Sequence, residues 1–497
     1  MKPCVLCVTF TALSLLLATA FPYSASAQVQ PTPQLKETVI SASRTPTCTD
    51  EFVSDATIVT RAEIEKYVGK TLPELLPRVA GVQFSANGGL AKSSSISIYG
   101  SKARHTILLI EGVRYGSATT GTPVWDNIPV DMIDRIELLK GPASALYGSD
   151  AVGGVLQVFM RKGRAGFKPY AAVTLSSESR AQLATGLTGG AGDVTDASSV
   201  QKTREAGFSA TNSKAGVATF NPDRDGFEQN SFIGSIAYQI NPSLKLNAGL
   251  AYADIVNRSD DSLICDTCYS SITNVAHTTG LADFESSLTP QWRVNASYST
   301  SFVAPPFNQM YFPGFENSNL QPEKRRNSAF GVTWSELGNS VKFVNYDNRI
   351  RVFIINSALP VNLAQARIDE VTLSYAGTFD GLTLSASADA LNPRNELTGK
   401  RLPRRSNRQL HAAVDYAAGA WTFGSALLRT AESFNDINNT QKLEGYTVGD
   451  VHADNRLNKD RNVEAKINNV TAEVCETILG YKQPGRGVFV ASNWQSK

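Results

Sequence analysis

The chain has 497 residues, with 47 Lys and Arg against 45 Asp and Glu for a net charge of +2, and a mean hydropathy of −0.16. So even a balance excludes a general polyanion-binding role, and nucleic acid is not an expected partner. Helical membrane proteins carry apolar runs of about 18 residues or more; beyond the N-terminus this sequence has none, but the alternating strands of a membrane β-barrel would escape that test.

Met1-Lys2, the apolar run from Val5 to Ala20 and Ala25-Ser26-Ala27 before Gln28 read as a secretory signal peptide over 1–27. An N-terminal anchor helix is the alternative, weakened by Pro22 and the small residues after it. Residues 28–51 are rich in Pro, Thr and Gln and show no core-forming pattern. Within them Glu37, Thr38, Val39, Ile40, Ser41 and Ala42 form a β-prone island. It is either an ordinary edge strand or a tethered segment able to add a strand to a partner's sheet.

Thr60 with Glu63 and Thr71 with Glu74 fit the capping-box pattern, so helices should start at both places. The second would place Leu72, Leu75, Leu76 and Val79 on one face and stop at Gly81. Strands are expected at 82–84, 96–98 and 107–110, interrupted by polar, glycine-rich loops at 85–95 and 115–126. The stretch 136–163 then packs a strand (136–140), the break Gly141-Pro142, a helical turn (143–147), the pair Gly153-Gly154 and a second strand (155–160) before the basic stop Arg161-Lys162. Glycines at this density mean tight turns and close backbone approaches. Taken alone, the unit could belong to any α+β domain.

From Phe167 onward the period becomes two. Phe167, Ala171, Val173 and Leu175 share one parity. Ile236, Tyr238 and Ile240 share one side, Asn241-Pro242-Ser243 turns the chain, and Leu244, Leu246, Leu250 and Tyr252 return to that side. Trp292, Val294 and Tyr298 repeat the theme, as do 371–375, 382–388, 410–416 and 421–427. Apolar-out, polar-in strands joined by short turns are what a transmembrane barrel requires. A soluble β-sandwich alternates similarly but leaves the signal peptide and the separate glycine-rich domain unexplained.

The segment IELLKGPASALYGSDAVGG at 136–154 resembles the end of the plug domain of TonB-dependent outer-membrane receptors. The likeness extends to 107–113 (ILLIEGV), 300–308 (TSFVAPPFN), 319–324 (NLQPEK), 401–405 (RLPRR) and 481–489 (YKQPGRGVF). It implies an N-terminal α/β plug over 52–162 and a transmembrane antiparallel β-barrel over 163–497. The protein would lie in the outer membrane of a Gram-negative bacterium, among its lipids, and import a scarce bulky nutrient there. The wording is closest to cobalamin receptors, with a ferric-siderophore receptor or a non-transporting barrel as alternatives. Glu37 to Ala42 would be the TonB box, gripped by the energy-coupling protein TonB. The loop residues Asn87, Lys92, Tyr115, Thr119, Thr120 and Trp125 would contact ligand, unless they are merely solvated. Residues 221–227 resemble the Asp-rich calcium loop of cobalamin receptors, so Asp223 and Asp225, with Asp260 and Asp261, could take a hard cation or form a plain solvated turn. No other cofactor is implied. The family usually has Arg where Tyr99 stands, so its lock-like contact does not carry over.

Barrels of this family have roughly 22 strands. Residues 163–497, at roughly 20 residues per strand with its loops, allow only about 16 to 17, an estimate built on about 10 residues per crossing. Early-barrel sequence passes abruptly into late-barrel sequence near 258–281, which places an internal deletion there. GxSxG, HExxH and P-loop motifs are absent, and His105, His277, His411 and His452 are scattered, so no enzyme is expected. Cys265 and Cys268 have no second CxxC or His pair beside them, which favours a loop disulfide or incidental thiols over a metal site.

Overall fold

The computed structural model describes residues 38–39, 47–48 and the chain from 55 to 496 except 68–69, 91, 118–119, 126–127, 142, 149, 163–165, 178, 216–223, 242–243, 258–280, 288–290, 315 and 357–358. The expected signal peptide lies outside the described residues.

Strands β1 (Thr38–Val39) and β2 (Thr47–Cys48) form a small antiparallel pair. The plug begins at β3 (Asp55–Val59). Both capping boxes form: Thr60 accepts from the Glu63 N–H and Thr71 from that of Glu74, with each glutamate reaching back to its cap. The helices they start are short, Arg61–Glu65 and Leu72–Leu75, the second passing into a 3-10 turn at Leu76–Arg78. Pro77 ends the expected longer helix, because a proline cannot donate to the preceding turn. Leu72, Leu75 and Leu76 are nevertheless fully buried, as the periodicity required.

β4 (Val82–Ala86) and β5 (Ser94–Ile98) pair with each other. β6 (Thr106–Ile110), β7 (Val113–Arg114), β8 (Ile133–Lys140) and β9 (Gly154–Met160) join β3 in a five-stranded sheet of order β3-β8-β9-β6-β7. β9 is central, parallel to β6 and antiparallel to β8, and all seven of its residues are buried. The approach that makes this strand possible depends on the glycine pair. A Cβ on Gly153 would run into the Ser101 side chain and the His105 carbonyl, and Gly154 adopts a φ of +156° against the Leu139 carbonyl.

Among the described residues, the remainder of the chain is chiefly one antiparallel sheet of sixteen strands. In chain order these are β10 (Gly166–Ser176), β11 (Ala181–Ala191), β12 (Val194–Glu205), β13 (Phe227–Asn241), β14 (Leu244–Asn257), β15 (Leu281–Ser287), β16 (Trp292–Val303), β17 (Glu323–Glu336), β18 (Asn339–Asn356), β19 (Pro360–Phe379), β20 (Leu382–Asn395), β21 (Arg408–Ala418) and β22 (Trp421–Thr430). After a loop hairpin, β23 (Ser433–Phe434) and β24 (Lys442–Leu443), come β25 (Tyr446–Arg456) and β26 (Arg461–Asn468). A second loop hairpin, β27 (Glu476–Ile478) and β28 (Tyr481–Lys482), precedes the last strand, β29 (Gly487–Gln495).

The first and last wall strands, β10 and β29, pair over seven positions, while β14 and β15 are the two ends of the sheet. Those ends flank 258–280, where the sequence changes from early-barrel to late-barrel wording. Neighbouring strands meet through short turns at one end, such as 192–193, 337–338, 380–381 and 419–420. At the other end the connections are longer, at 206–226, 304–322, 396–407, 431–445 and 469–486. In outer-membrane barrels the short turns face the periplasm and the long loops the exterior.

The wall is apolar outside and polar inside. Leu175, Leu183, Ile236, Tyr238, Leu373, Leu410, Trp421 and Leu427 are exposed, whereas Gln201, Thr203, Asn327, Asn348, Glu370, Gln409 and Asp450 are buried. This reverses a water-soluble protein's pattern and is the arrangement lipid demands. The parities expected for 167–175, 236–240 and 410–427 all hold. Inside, the plug core around Ile98, Leu108, Ile136 and Leu156 packs onto Val344 and Tyr346 of β18, with Ile233 of β13 and Ala329 of β17 beside it.

Candidate functional site

The plug is held to the wall by buried polar contacts at several heights. Nearest the short-turn end of β18, Asp55, the first residue of β3, pairs with Lys342 of the wall and with Lys140 of β8 at 3.0 Å, and accepts from the Tyr99 hydroxyl. Burial alone would raise the Asp55 carboxyl, but Lys140 and Lys342 hold it well below the usual range. Tyr99 has a φ of +47° and stacks on Tyr346 with ring centroids 4.8 Å apart. A tyrosine at the position where an arginine was expected thus makes its own contact with the wall, by ring stacking.

Further round the wall, Lys66 pairs with Asp415 of β21 at 2.5 Å, and Lys70 and Arg78 both reach Asp450 of β25. Toward the loop end, Arg104 and His105 meet Glu323, the first residue of β17, which is fully buried. Arg104 donates to Glu323 Oε1 at 2.5 Å and to Gln309 at 3.1 Å, and Arg325 donates to Oε2 at 2.5 Å. His105 Nδ1 accepts from the Lys102 N–H at 2.9 Å, which leaves Nε2 to face Glu323 at 3.2 Å. Burial, reinforced by Arg325, depresses the His105 pKa well below its ordinary value, so the ring is neutral. Most of these pairs set a plug cation against a wall carboxylate. One-sided removal of such a partner strands a buried charge, so the seam is stiff while intact and polar once parted.

At the loop end the plug loop 85–95 reaches the wall's outer connections. The Ala86 N–H donates to Thr477 Oγ1 at 2.9 Å, and Gln483 donates back to the Ala86 carbonyl at 2.8 Å. A cavity opens here between plug and loops, with about 1250 Å³ of empty space including its mouth. Arg78, Phe84 and Leu90 line it from the plug; Arg404, Tyr446 and Cys475 line it from the wall. Its lining mixes charged, amide and apolar side chains, as ligand pockets do.

None of the described residues singled out from the sequence as ligand contacts lines this cavity. Asn87 lies in the 85–95 loop beside it, half-buried, and its N–H donates to the Ser93 carbonyl. Lys92 is buried and paired to Asp225 at 3.2 Å, so it fastens the loop and does not face open solvent. Trp125 is 1% exposed within the plug core. The loop composition that suggested it cannot distinguish an aromatic at a loop tip from one folded underneath. Tyr115 is half-buried against the same core, and Thr120 bonds Thr122 at 2.7 Å. Thr119 lies outside the described residues.

Asp223, Asp260 and Asp261 also lie outside them. Both oxygens of Asp225 are engaged, by Lys92 and by the Ala210 N–H at 2.7 Å. A hard cation at this loop would have to displace an ammonium, so Asp225 as placed does not fit a calcium ligand. Of the expected TonB box, Thr38 and Val39 are extended and paired with Cys48 and Thr47; Glu37, Ile40, Ser41 and Ala42 fall outside the described residues. What the sequence did not single out were Asp55, Arg104, His105 and Glu323. The one available signal was charge at inward-parity wall positions.

A plug filling a large inside-out barrel defines a class of outer-membrane protein, and comparison with known families agrees. The family model "TonB-dependent Receptor Plug Domain" matches residues 50–155, and "TonB dependent receptor-like, beta-barrel" matches 105–470. The chain belongs to the TonB-dependent receptor family, whose members are outer-membrane receptors of Gram-negative bacteria. It is similar to the vitamin B12 transporter BtuB of Photobacterium profundum, 24% identical over 561 aligned positions covering 87% of this chain and 91% of the relative. It is likewise similar to BtuB of Vibrio vulnificus, 21% identical over 92% of this chain and 95% of the relative. The first alignment is longer than this chain itself, so that relative has segments with no counterpart here. Among solved structures the fold resembles the ferric enterobactin receptor PfeA of Pseudomonas aeruginosa, with a TM-score of 0.74 at 14% identity, covering 89% of this chain and 99% of that one. The siderophore receptor PirA of Acinetobacter baumannii gives 0.73 at 12% identity, with 89% and 98% covered.

Proposed function

We propose that this protein is a TonB-coupled importer of cobalamin, working with a barrel shortened near 258–281. The reading is carried by the similarity to vitamin B12 transporters along 87–92% of the chain. Ligand binds in the cavity between the plug loop 85–95 and the outer connections. TonB takes the segment 37–42 as an added strand, and traction on it loads Asp55 and β3 first, because they are the nearest structured part of the plug. The plug is fastened by the pairs Lys66–Asp415, Arg78–Asp450 and Arg104–Glu323, so entry of a bulky ligand needs work supplied from outside the molecule. No group positioned for bond chemistry is needed, and the protein acts as a transporter and not as an enzyme.

The test is cobalamin-dependent growth of a Gram-negative host lacking its own cobalamin receptor. Restored growth that disappears on deleting 37–42 supports the proposal, and growth surviving that deletion defeats the active-transport part. A ferric-siderophore receptor is the second reading, favoured by the resemblance to PfeA and PirA. Saturable binding of a ferric catecholate, with none of cobalamin, would establish it instead.

A further inference from the structure

A second cavity, with about 700 Å³ of empty space including its mouth, continues the first down the seam, because Lys70, Leu90 and Arg180 line both. Arg180 marks the boundary, paired with Glu205 and with its guanidinium 5.4 Å from the Phe489 ring. On the wall side this chamber is lined chiefly by neutral amides and hydroxyls, those of Thr174, Gln182, Gln201, Thr203, Gln229 and Asn493.

The charges that line it are already paired. Arg61 meets Glu65 at 2.7 Å, Lys70 meets Asp450 at 3.6 Å and Arg180 meets Glu205, while Asp131 accepts from Gln182. A charged guest therefore finds no counter-ion among the described residues. The hydrogen bonds of the wall are not all paired. Gln201 donates from Nε2 to Thr203 at 3.1 Å, Thr203 donates to Gln182 Oε1 at 3.4 Å, and Gln182 donates to the plug's Asp131. All the donors run one way, which leaves the carbonyl oxygen of Gln201 at the head of the chain, buried and without a donor. A buried acceptor left unpaired is costly, so the chamber favours a guest that brings an N–H or O–H. The bond to Thr203 also holds the Gln201 amide near the height of Thr203, one inward position below Glu205 and the upper cavity.

We propose that this chamber is a subsite for a neutral hydrogen-bond donor. Resting on the cobalamin reading above, it takes a peripheral primary amide of the corrin while the ring itself stays in the upper cavity. A primary amide brings N–H donors and no charge. A ferric catecholate brings negative charge, for which the chamber has no uncommitted cation among the described residues. Gln201 is then a selectivity residue, since a site built to pair a donor discriminates against an analogue that lacks it.

The test compares the binding of two corrinoids to the purified full chain, using only preparations that show heat-modifiable migration. One is cobinamide, rimmed with primary amides; the other is heptamethyl cobyrinate, in which methyl esters take their place. Wild type should bind cobinamide more tightly. Gln201→Leu keeps the bulk and removes the acceptor, and it should lower the ratio of the two affinities severalfold. Gln201→Met carries the same expectation and serves where the leucine variant fails to fold. A merely structural role for Gln201 would weaken both ligands alike. An unchanged ratio therefore overturns the subsite and leaves the cobalamin reading standing, whereas binding of neither corrinoid to wild type overturns both.

Discussion

Asp55 and Lys342 are 287 positions apart in sequence and share one buried ion pair across the plug–wall seam. Asp55 opens β3, which lies at the edge of the plug sheet and pairs only with β8 there. The strand closest to the N-terminal segment thus lies at an edge of the plug sheet, and the Asp55 carboxylate ties it to the wall.

Asp55→Asn therefore leaves the Lys342 ammonium without its partner and should destabilise plug seating by about 3–5 kcal/mol, the usual cost of breaking a buried pair from one side. Asp55→Asn with Lys342→Met removes both charges of the wall pair and should recover part of that loss, the remainder lying with the buried Lys140, which still loses its carboxylate. Urea titration monitored by protease cleavage of the plug checks both. Equal loss in the single and double variants would contradict the pairing argument.

His105 should make plug seating sensitive to acid. Its folded pKa is depressed, so its contribution is whole above the ordinary value of ~6.5 and declines as pH falls below that toward the folded value. Protonation would set a third cation beside Arg104 and Arg325, with Glu323 as the carboxylate facing the ring among the described residues. Protease protection of the plug should weaken between neutral pH and pH about 5 in the wild type. In His105→Gln the same interval should show a shallower fall, and identical slopes would rule the ring out.

Gly153→Ala should disrupt the plug more than its size suggests. The new methyl meets the Ser101 side chain and the His105 carbonyl, and overpacking of this kind costs about 1–3 kcal/mol. Ser101→Gly in the same chain should return part of the loss in a denaturant titration, because it removes one of the two obstacles. The carbonyl cannot be mutated away, so rescue should stay incomplete.

Cys475 should be inert while the plug is seated. Burial pushes its thiol up to about 12, and the loop that carries it is bonded to the plug through Thr477 and Ala86. Peptide mapping after iodoacetamide treatment at neutral pH should find Cys475 unmodified in the native protein and alkylated after denaturation. Rapid native alkylation would mean that the 469–486 loop does not rest on the plug as seen here.

The fold class was legible because its signals are local. Capping boxes at Thr60 and Thr71, the glycine pair before β9 and the period of two after Phe167 each depend on a few adjacent residues, and each appears where expected. The helix from Leu72 came out shorter, since Pro77 outweighs an apolar face. The site was less legible. Lys92 and Trp125 look like loop residues in sequence, yet one is locked to Asp225 and the other is core.

The sequence by itself determined the two-part architecture, the parity of the wall strands and the approximate strand number, since each follows from spacing along the chain. Only the tertiary structure decided which plug cation meets which wall carboxylate, where the cavities fall, and that β14 and β15 end the sheet. A period of two says that a residue points inward. What it meets there depends on strand register and on how the plug is turned inside the wall, and both are set by contacts between residues hundreds of positions apart.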